Sequence, residues 1–115
     1  MIVAACAAIL APSAGSALAA PSAHVAKAAS VTVTASEFKF KLSKTSAAEG
    51  SVTFVVKNAG KTIHDFKING KKTPGIAPGK SATLTVKFTK SGKFAYLCTI
   101  PGHAAAGMKG NFTIS

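Results

Sequence analysis

The sequence predicts an all-β domain, and three observations support that prediction. Apolar and polar residues alternate with a period of two over most of the chain after residue 30. Turn-forming pairs such as Asn69-Gly70 and Ser91-Gly92 separate the alternating runs at short intervals. No stretch of this region carries an apolar stripe with the period of an α-helix. Together these features indicate a Greek-key β-sandwich of about seven or eight short strands.

Each expected strand is an alternating run bounded by turn residues. In the second strand, Phe38, Phe40 and Leu42 are expected to share one face, because successive side chains of a strand point to opposite faces. Residues 71–79 contain two Pro-Gly pairs, which predict a loop there. In chain order, the strands are predicted at 31–35, 38–42, 51–57, 62–68, 81–88, 93–98 and 109–115.

The first twenty residues do not follow the alternating pattern. Residues 1–20 are small or apolar and carry no charge, and Ala17-Leu18-Ala19 matches the small-x-small pattern of a signal-peptidase site. We therefore expect a signal peptide over 1–20, atypical or truncated because no lysine precedes Lys27. This segment implies export to the periplasm or another extracytoplasmic location.

A cysteine near the start offers a second route to a membrane. The run Val3-Ala4-Ala5-Cys6 resembles a bacterial lipobox, so a lipid anchor on Cys6 stays open beside cleavage further on. Residues 21–30 are mostly small and predict a flexible linker. The folded domain is expected over 31–115, where Cys98 is the single cysteine.

The chain is strongly basic, with 14 lysines, no arginine, three acidic residues and a formal net charge of +11. Positive charge of this size steers a protein toward an acidic partner or an anionic membrane surface. Nucleic acid is not expected as a partner, because arginine, the residue that makes paired hydrogen bonds with bases and phosphates, is missing. The alternative is that the lysines bind no partner and only keep the protein soluble. A monomer is expected.

Four side chains with sulfur or nitrogen donors form the strongest functional signal. Four residues separate Cys98 from His103, four more separate His103 from Met108, and His64 lies upstream on a predicted strand. Two imidazoles, one thiolate and one weak thioether are the ligands of a mononuclear blue-copper site. The sequence therefore predicts one copper ion, cycling between Cu(II) and Cu(I), at these four residues. The three acidic residues are scattered, so paired-carboxylate catalysis is not expected.

Around these residues the chain resembles the cupredoxin family of small blue copper proteins. Residues 92–98 resemble the run that leads to the copper cysteine of plastocyanin, and Pro101-Gly102-His103 resembles the azurin loop. The loop lengths are most similar to those of auracyanin and rusticyanin. The resemblance covers roughly 31–115. It implies His64, Cys98 and His103 as equatorial ligands and Met108 as the axial ligand.

Two positions depart from the family pattern. Asp65 follows His64 where the family often has asparagine, and its carboxylate is expected to accept hydrogen bonds from Thr99 and to favour Cu(II) by its charge. Pairing of an exposed Asp65 with a lysine is the alternative. Ile63 stands where azurin has a glycine whose carbonyl contacts copper, so four ligands are expected rather than five. Tight bends are expected at Gly102 and Gly107.

The resemblance implies a one-electron carrier that docks with redox partners at the exposed edge of His103, among residues 101–106 and with Ile76 nearby. An enzyme is not expected, because Leu97 and Thr99 flank Cys98 where multicopper oxidases have histidines that relay electrons. The ligand loop, which runs from Cys98 to Met108, also lacks the second cysteine of a binuclear copper centre. A periplasmic copper-binding or delivery protein with the same ligands is the alternative function.

Overall fold

The computed structural model describes residues 28–115, which form nine β-strands and no helix. The predicted signal peptide, Cys6 and residues 21–27 of the predicted linker lie outside the described residues. Between residues 28 and 115 there is accordingly no helix long and apolar enough to cross a membrane. The strands are β1 (Ala29–Ser36), β2 (Lys39–Leu42), β3 (Ser46–Ala47), β4 (Gly50–Asn58), β5 (Lys67–Ile68), β6 (Lys71–Lys72), β7 (Ser81–Phe88), β8 (Gly92–Leu97) and β9 (Lys109–Ile114).

The strands form two sheets that enclose the main hydrophobic core. The first has the order β2-β1-β4-β7 and the second the order β3-β9-β8-β5-β6. Strand β1 runs parallel to β4 and β3 runs parallel to β9, while the other pairs are antiparallel. The chain changes sheet after β2, β3, β4, β6 and β7, as it does in Greek-key sandwiches. The predicted fold class is therefore confirmed.

Alternate residues of the long strands fill the space between the sheets. Phe54 lies at the centre of this core, with its ring centroid 5.2 Å from that of Phe66, 5.3 Å from that of Phe112 and 6.5 Å from that of Phe88. These offset and edge-to-face contacts are the favourable arrangements of aromatic rings. The buried members of the core are Val31, Val33, Val52, Phe54, Val56, Phe66, Ile68, Ile76, Val86, Phe88, Tyr96, Phe112 and Ile114.

The predicted strand at 62–68 is wrong over most of its length. Only Lys67–Ile68 forms a strand, because the backbone before it makes other contacts. His64 makes an isolated bridge with Ile76, and the amide of Phe66 donates to Thr73 Oγ1 at 3.1 Å. The predicted loop at 71–79 accordingly contains β6 and this bridge. The strand count rises to nine because the structure adds two short strands, β3 and β6, that were not predicted, while β5 keeps two residues of the predicted strand at 62–68.

Phe38 also departs from its predicted place in the second strand. Its φ of 65° puts it in the left-handed region, and it forms the turn between β1 and β2 with 45% of its surface exposed. Phe40 and Leu42, by contrast, pack against the core as expected. A positive φ is uncommon for a bulky residue, so contacts beyond the turn must hold Phe38 there.

We expect Phe54→Ala to reduce the free energy of unfolding of the metal-free protein by about 3–5 kcal/mol, because the cavity would lie in the middle of the aromatic core. Urea unfolding would measure the change. The exposed Lys87, on the neighbouring β7, supplies a control, and Lys87→Ala should change stability by less than about 0.5 kcal/mol. Equal effects of the two substitutions would contradict this description of the core.

Candidate metal centre

Three donor atoms from distant parts of the chain meet at one end of the sandwich. One ligand atom each from His64, Cys98 and His103 lies within 4.8 Å of the others. The Nδ1 atoms of the two histidines are 3.1 Å apart, and Cys98 Sγ lies 4.0 Å from His64 Nδ1 and 3.6 Å from His103 Nδ1. Three of the four predicted copper ligands therefore lie close together. The atoms that meet are ones that can bind a metal ion.

The separations between these atoms fit a single ion. Trigonal bonds of about 2.0 Å to nitrogen and about 2.3 Å to sulfur place donors about 3.5–3.7 Å apart. The observed distances of 3.1, 3.6 and 4.0 Å lie on both sides of that range. Small movements of the side chains would therefore accommodate an ion between them.

Met108 supplies the fourth predicted donor and lies beside the cysteine. It is completely buried and packs with Cys98 and Ala35 in a small apolar cluster separate from the main core. A thioether, two imidazoles and a thiolate together make the donor set that suits copper. All four predicted residues therefore lie at the same end of the fold.

The ligand loop is closed by the strands on either side of it. Leu97 pairs with Lys109 at the end of the β8–β9 ladder, and the amide of Cys98 donates to the carbonyl of Met108 at 3.1 Å. The amide of Met108 donates to the carbonyl of His103, also at 3.1 Å, so the loop folds back on itself. The bends predicted at the two glycines are confirmed by positive φ values of 84° at Gly102 and 112° at Gly107.

His64 is held on the opposite side of the site by backbone pairing. Its amide and carbonyl bond to Ile76 at 3.2 and 2.7 Å. The buried side chain of Asn58 donates to the carbonyls of Thr62 and Ile76 at 2.8 and 2.7 Å, and it accepts from the amide of Gly60 at 2.8 Å. These bonds hold the backbone on both sides of His64 in place.

Asp65 ties the two ligand-bearing segments together. Its carboxylate accepts a hydrogen bond from the amide of Thr99 at 2.6 Å and a second from the Thr99 hydroxyl. The hydrogen bonds expected from Thr99 are confirmed. Asp65 is almost fully buried, and the ammonium group of the exposed Lys72 lies 3.7 Å from its second oxygen. The alternative prediction, an exposed Asp65 paired with a lysine, is therefore correct about the lysine and wrong about the exposure. The ion pair with Lys72 exists together with the hydrogen bonds from Thr99.

The sulfur of Cys98 is buried and accepts hydrogen bonds from the backbone of Asp65 and of Ile100. The amide of Asp65 points at Sγ from 3.5 Å, which favours the thiolate form. Burial has the larger effect and raises the pKa of the Cys98 thiol above its ordinary value. Within residues 28–115 Cys98 is a free cysteine, available as a metal ligand.

Two residues of the β1–β2 turn contact the histidines, and neither contact was predicted from the sequence. Glu37 Oε1 lies 3.1 Å from His64 Nε2, and the hydrogen bond from His64, followed by that from the Lys61 amide, lowers the pKa of Glu37. The ring centroid of Phe38 lies 5.3 Å from that of His103 in an edge-to-face contact. Nothing in the local sequence links Glu37 to a histidine 27 positions away.

Exposure differs between the two histidines. His64 is completely buried, whereas His103 is only half-buried. Two large apolar side chains near these histidines are each 45% exposed. Phe38 contacts His103, and Ile63 directly precedes His64 in the sequence. Ile76, expected near the exposed edge of His103, is buried in the core and pairs with His64.

We expect Asp65→Ala to reduce the free energy of unfolding of the metal-free protein by about 1–3 kcal/mol, since it removes the hydrogen bonds that Thr99 donates to a charged carboxylate. Urea unfolding would measure this loss. Asp65→Asn keeps one acceptor oxygen and should cost less. Lys72→Ala removes only a partly exposed ion pair and should cost less than about 1 kcal/mol. A loss for Asp65→Ala no larger than that for Lys72→Ala would contradict this role.

Comparison with known proteins gives several matches. The profile of the cupredoxin-like domain family matches residues 2–114. The copper-resistant cuproprotein CopI of Pseudomonas aeruginosa is 51% identical over 39 residues, which are 34% of this chain and 22% of that protein. The protein of the same description from Rubrivivax gelatinosus is 31% identical over 85 residues, covering 56% of this chain and 52% of the relative. Auracyanin-B of Chloroflexus aurantiacus is 43% identical over 43 residues, 37% of this chain and 18% of its own.

Solved structures agree on the fold. Reduced auracyanin from Roseiflexus castenholzii matches with a TM-score of 0.69 at 21% identity, over 75% of this chain and 96% of that one. A multicopper oxidase matches with a TM-score of 0.61 at 15% identity, over 76% of this chain and 44% of the oxidase. The chain thus spans about half or less of the curated relatives it matches. Because the family profile matches nearly the whole chain and the donor set fits one copper ion, this chain belongs to the cupredoxin-like domain family.

Proposed function

We propose that the chain is a type 1 (blue) copper protein that carries single electrons, with His64, Cys98, His103 and Met108 as the ligands of one ion. Copper supplies the chemistry by alternating between Cu(II) and Cu(I). The observation that carries the proposal is the meeting of two imidazole nitrogens and a thiol sulfur within 4.8 Å, beside a buried methionine. A trigonal set with a weak axial thioether is the arrangement found in electron-transfer copper sites.

The surroundings of the donors suit electron transfer because they resist rearrangement. Backbone bonds to Ile76 hold His64, and the bond between Cys98 and Met108 closes the ligand loop. The Asp65–Thr99 hydrogen bonds then join the two segments. Ligands held in this way change position little when the charge of the ion changes, which lowers the energy needed for each transfer.

The half-buried edge of His103 is the proposed point of electron entry. Exposed Phe38 and Ile63 provide apolar surface at this end for brief docking. The 13 lysines between residues 28 and 115 are all exposed, and they would attract an acidic redox partner over long range. We propose a monomer that meets such a partner outside the cytoplasm, after export directed by the segment before residue 21.

An enzymatic role is not part of the proposal. Multicopper oxidases share the fold, as the structural match shows, but likeness at 15% identity does not extend to activity. The residues flanking Cys98 are Leu97 and Thr99, neither of which can bind a second copper ion through an imidazole. We therefore propose that the site only gains and loses an electron and does not transform a substrate.

A copper-binding or delivery role is the second candidate. It is favoured by the relatives whose description is copper-resistant cuproprotein, one of them 51% identical over 39 residues. The same four ligands would serve this purpose. The two functions differ in whether the protein passes on electrons or the ion itself.

Spectroscopy tests the copper site. We expect the purified protein with one equivalent of Cu(II) to show an intense visible thiolate-to-copper band and a narrow parallel hyperfine splitting in its EPR spectrum. The band should vanish in Cys98→Ser, because oxygen replaces the sulfur that gives rise to it. A colourless wild type, or a blue Cys98→Ser protein, would contradict the proposed ligands.

Kinetics separate carrier from delivery protein. For a carrier, electron transfer to an acidic redox protein should be fast and should slow as salt rises, while transfer of copper to a chelator should be slow. Replacing Lys39 and Lys61, next to Phe38 and near Ile63, by glutamine should weaken the salt dependence. Lys87, near the far end of β7, and Lys90, just after that end, are the matched controls. Rapid copper transfer with slow electron transfer would favour delivery.

A further inference from the structure

We propose that Glu37 is a positioning residue for His64, acting through the imidazole nitrogen that faces away from the other donors. Glu37 Oε1 lies 3.1 Å from His64 Nε2, while His64 Nδ1 faces Cys98 Sγ and His103 Nδ1. A carboxylate that accepts from Nε2–H fixes the tautomer in which Nδ1 keeps its lone pair for a metal. The inference rests on the proposed copper site.

The carboxylate of Glu37 is itself held in place from a second direction. Both of its oxygens accept from the amide of Lys61, at 2.9 and 2.8 Å. Glu37 belongs to the β1–β2 turn, and Lys61 lies after β4, three residues before His64. The carboxylate therefore joins two loops at the site, although about a third of its side chain is exposed.

Gly60 leaves the space that this pair occupies. A Cβ atom at position 60 would collide with Glu37 Oε1 and would stand 2.9 Å from His64 Nε2. Gly60 is not among the glycines with positive φ, so its backbone conformation does not require glycine. The absence of a side chain is instead explained by the close approach of the Glu37–His64 hydrogen bond.

The turn that carries Glu37 has a second contact with the site. Phe38 follows Glu37 with a φ of 65°, in a region that bulky residues seldom adopt. Its ring meets His103 edge to face, with the centroids 5.3 Å apart. The adjacent residues Glu37 and Phe38 thus contact His64 and His103, respectively. Glu37 therefore belongs to a turn that contacts the metal site at two points.

The expected effects follow from basicity and orientation. A negative acceptor on Nε2–H makes Nδ1 a stronger donor, which benefits Cu(II) more than Cu(I). Loss of such an outer hydrogen bond typically weakens metal binding about 10–100-fold. We therefore expect Glu37→Gln to weaken Cu(II) binding by about this factor and to shift the reduction potential to more positive values.

The test compares Glu37→Gln with Glu49→Gln, which removes the same charge from an exposed glutamate just before β4, at the end of that strand away from Gly60. Cu(II) affinity would be measured by competition with a chelator and the potential by voltammetry. Imidazole nitrogen NMR of the metal-free protein would report the His64 tautomer. We expect a single Nε2–H tautomer in the wild type and in Glu49→Gln, and a mixture in Glu37→Gln.

Gly60→Ala provides a second, independent variant. Its added methyl group should displace the carboxylate and reproduce the tautomer mixture and weaker Cu(II) binding of Glu37→Gln. In the double variant the two losses should not add, because both remove one hydrogen bond. Urea unfolding would confirm that each variant is folded.

The outcomes separate this inference from the proposed function. A wild type without a blue copper band but with a tautomer that depends on Glu37 would reject the copper assignment and keep the positioning role. If Glu37→Gln matched Glu49→Gln in tautomer, affinity and potential, Glu37 would be a surface cap for the Lys61 amide and the inference would be overturned.

Discussion

The hydrogen bonds between Asp65 and Thr99 are the interaction on which the site depends, because they join the two segments that supply its donors. His64 precedes Asp65, and Thr99 follows Cys98, so each bond acts one residue away from a ligand. Asp65 is almost fully buried, and a buried carboxylate without donors would be costly. Its two bonds to Thr99, with Lys72 nearby, meet that requirement and set the distance between the segments.

The same end of the sandwich departs from regular strand pairing in order to build the site. Residues 62–66 do not continue the ladder of β5, and their polar backbone groups bond instead to Ile76, to Thr73 and toward Cys98 Sγ. Asn58, at the end of β4, supports this arrangement with three hydrogen bonds. The regular strands and aromatic core therefore supply rigidity, and irregular backbone supplies the donors.

Much of the fold and the donor set was predictable from local pattern. The two-residue period of β1, β4, β7, β8 and β9 reports which side chains face the core, and the alternating Val52, Phe54 and Val56 of β4 are buried. The failures lie where long-range contacts override local preference. Phe38 continues an alternating run in the sequence, but its contact with His103 accompanies a left-handed turn. Glu37 and Gly60 carry no local signal, since their partners are far away in the sequence.

By itself, the sequence determined the sandwich, the copper-type donor set and the bends of the ligand loop, because these depend on residue type and short spacing. The tertiary structure alone decided how the donors are held. It placed Asp65 on Thr99, Glu37 on His64, and one histidine in the interior while the other reaches the surface. These features depend on distances between residues that only packing of the two sheets brings together, which alternation and spacing do not encode.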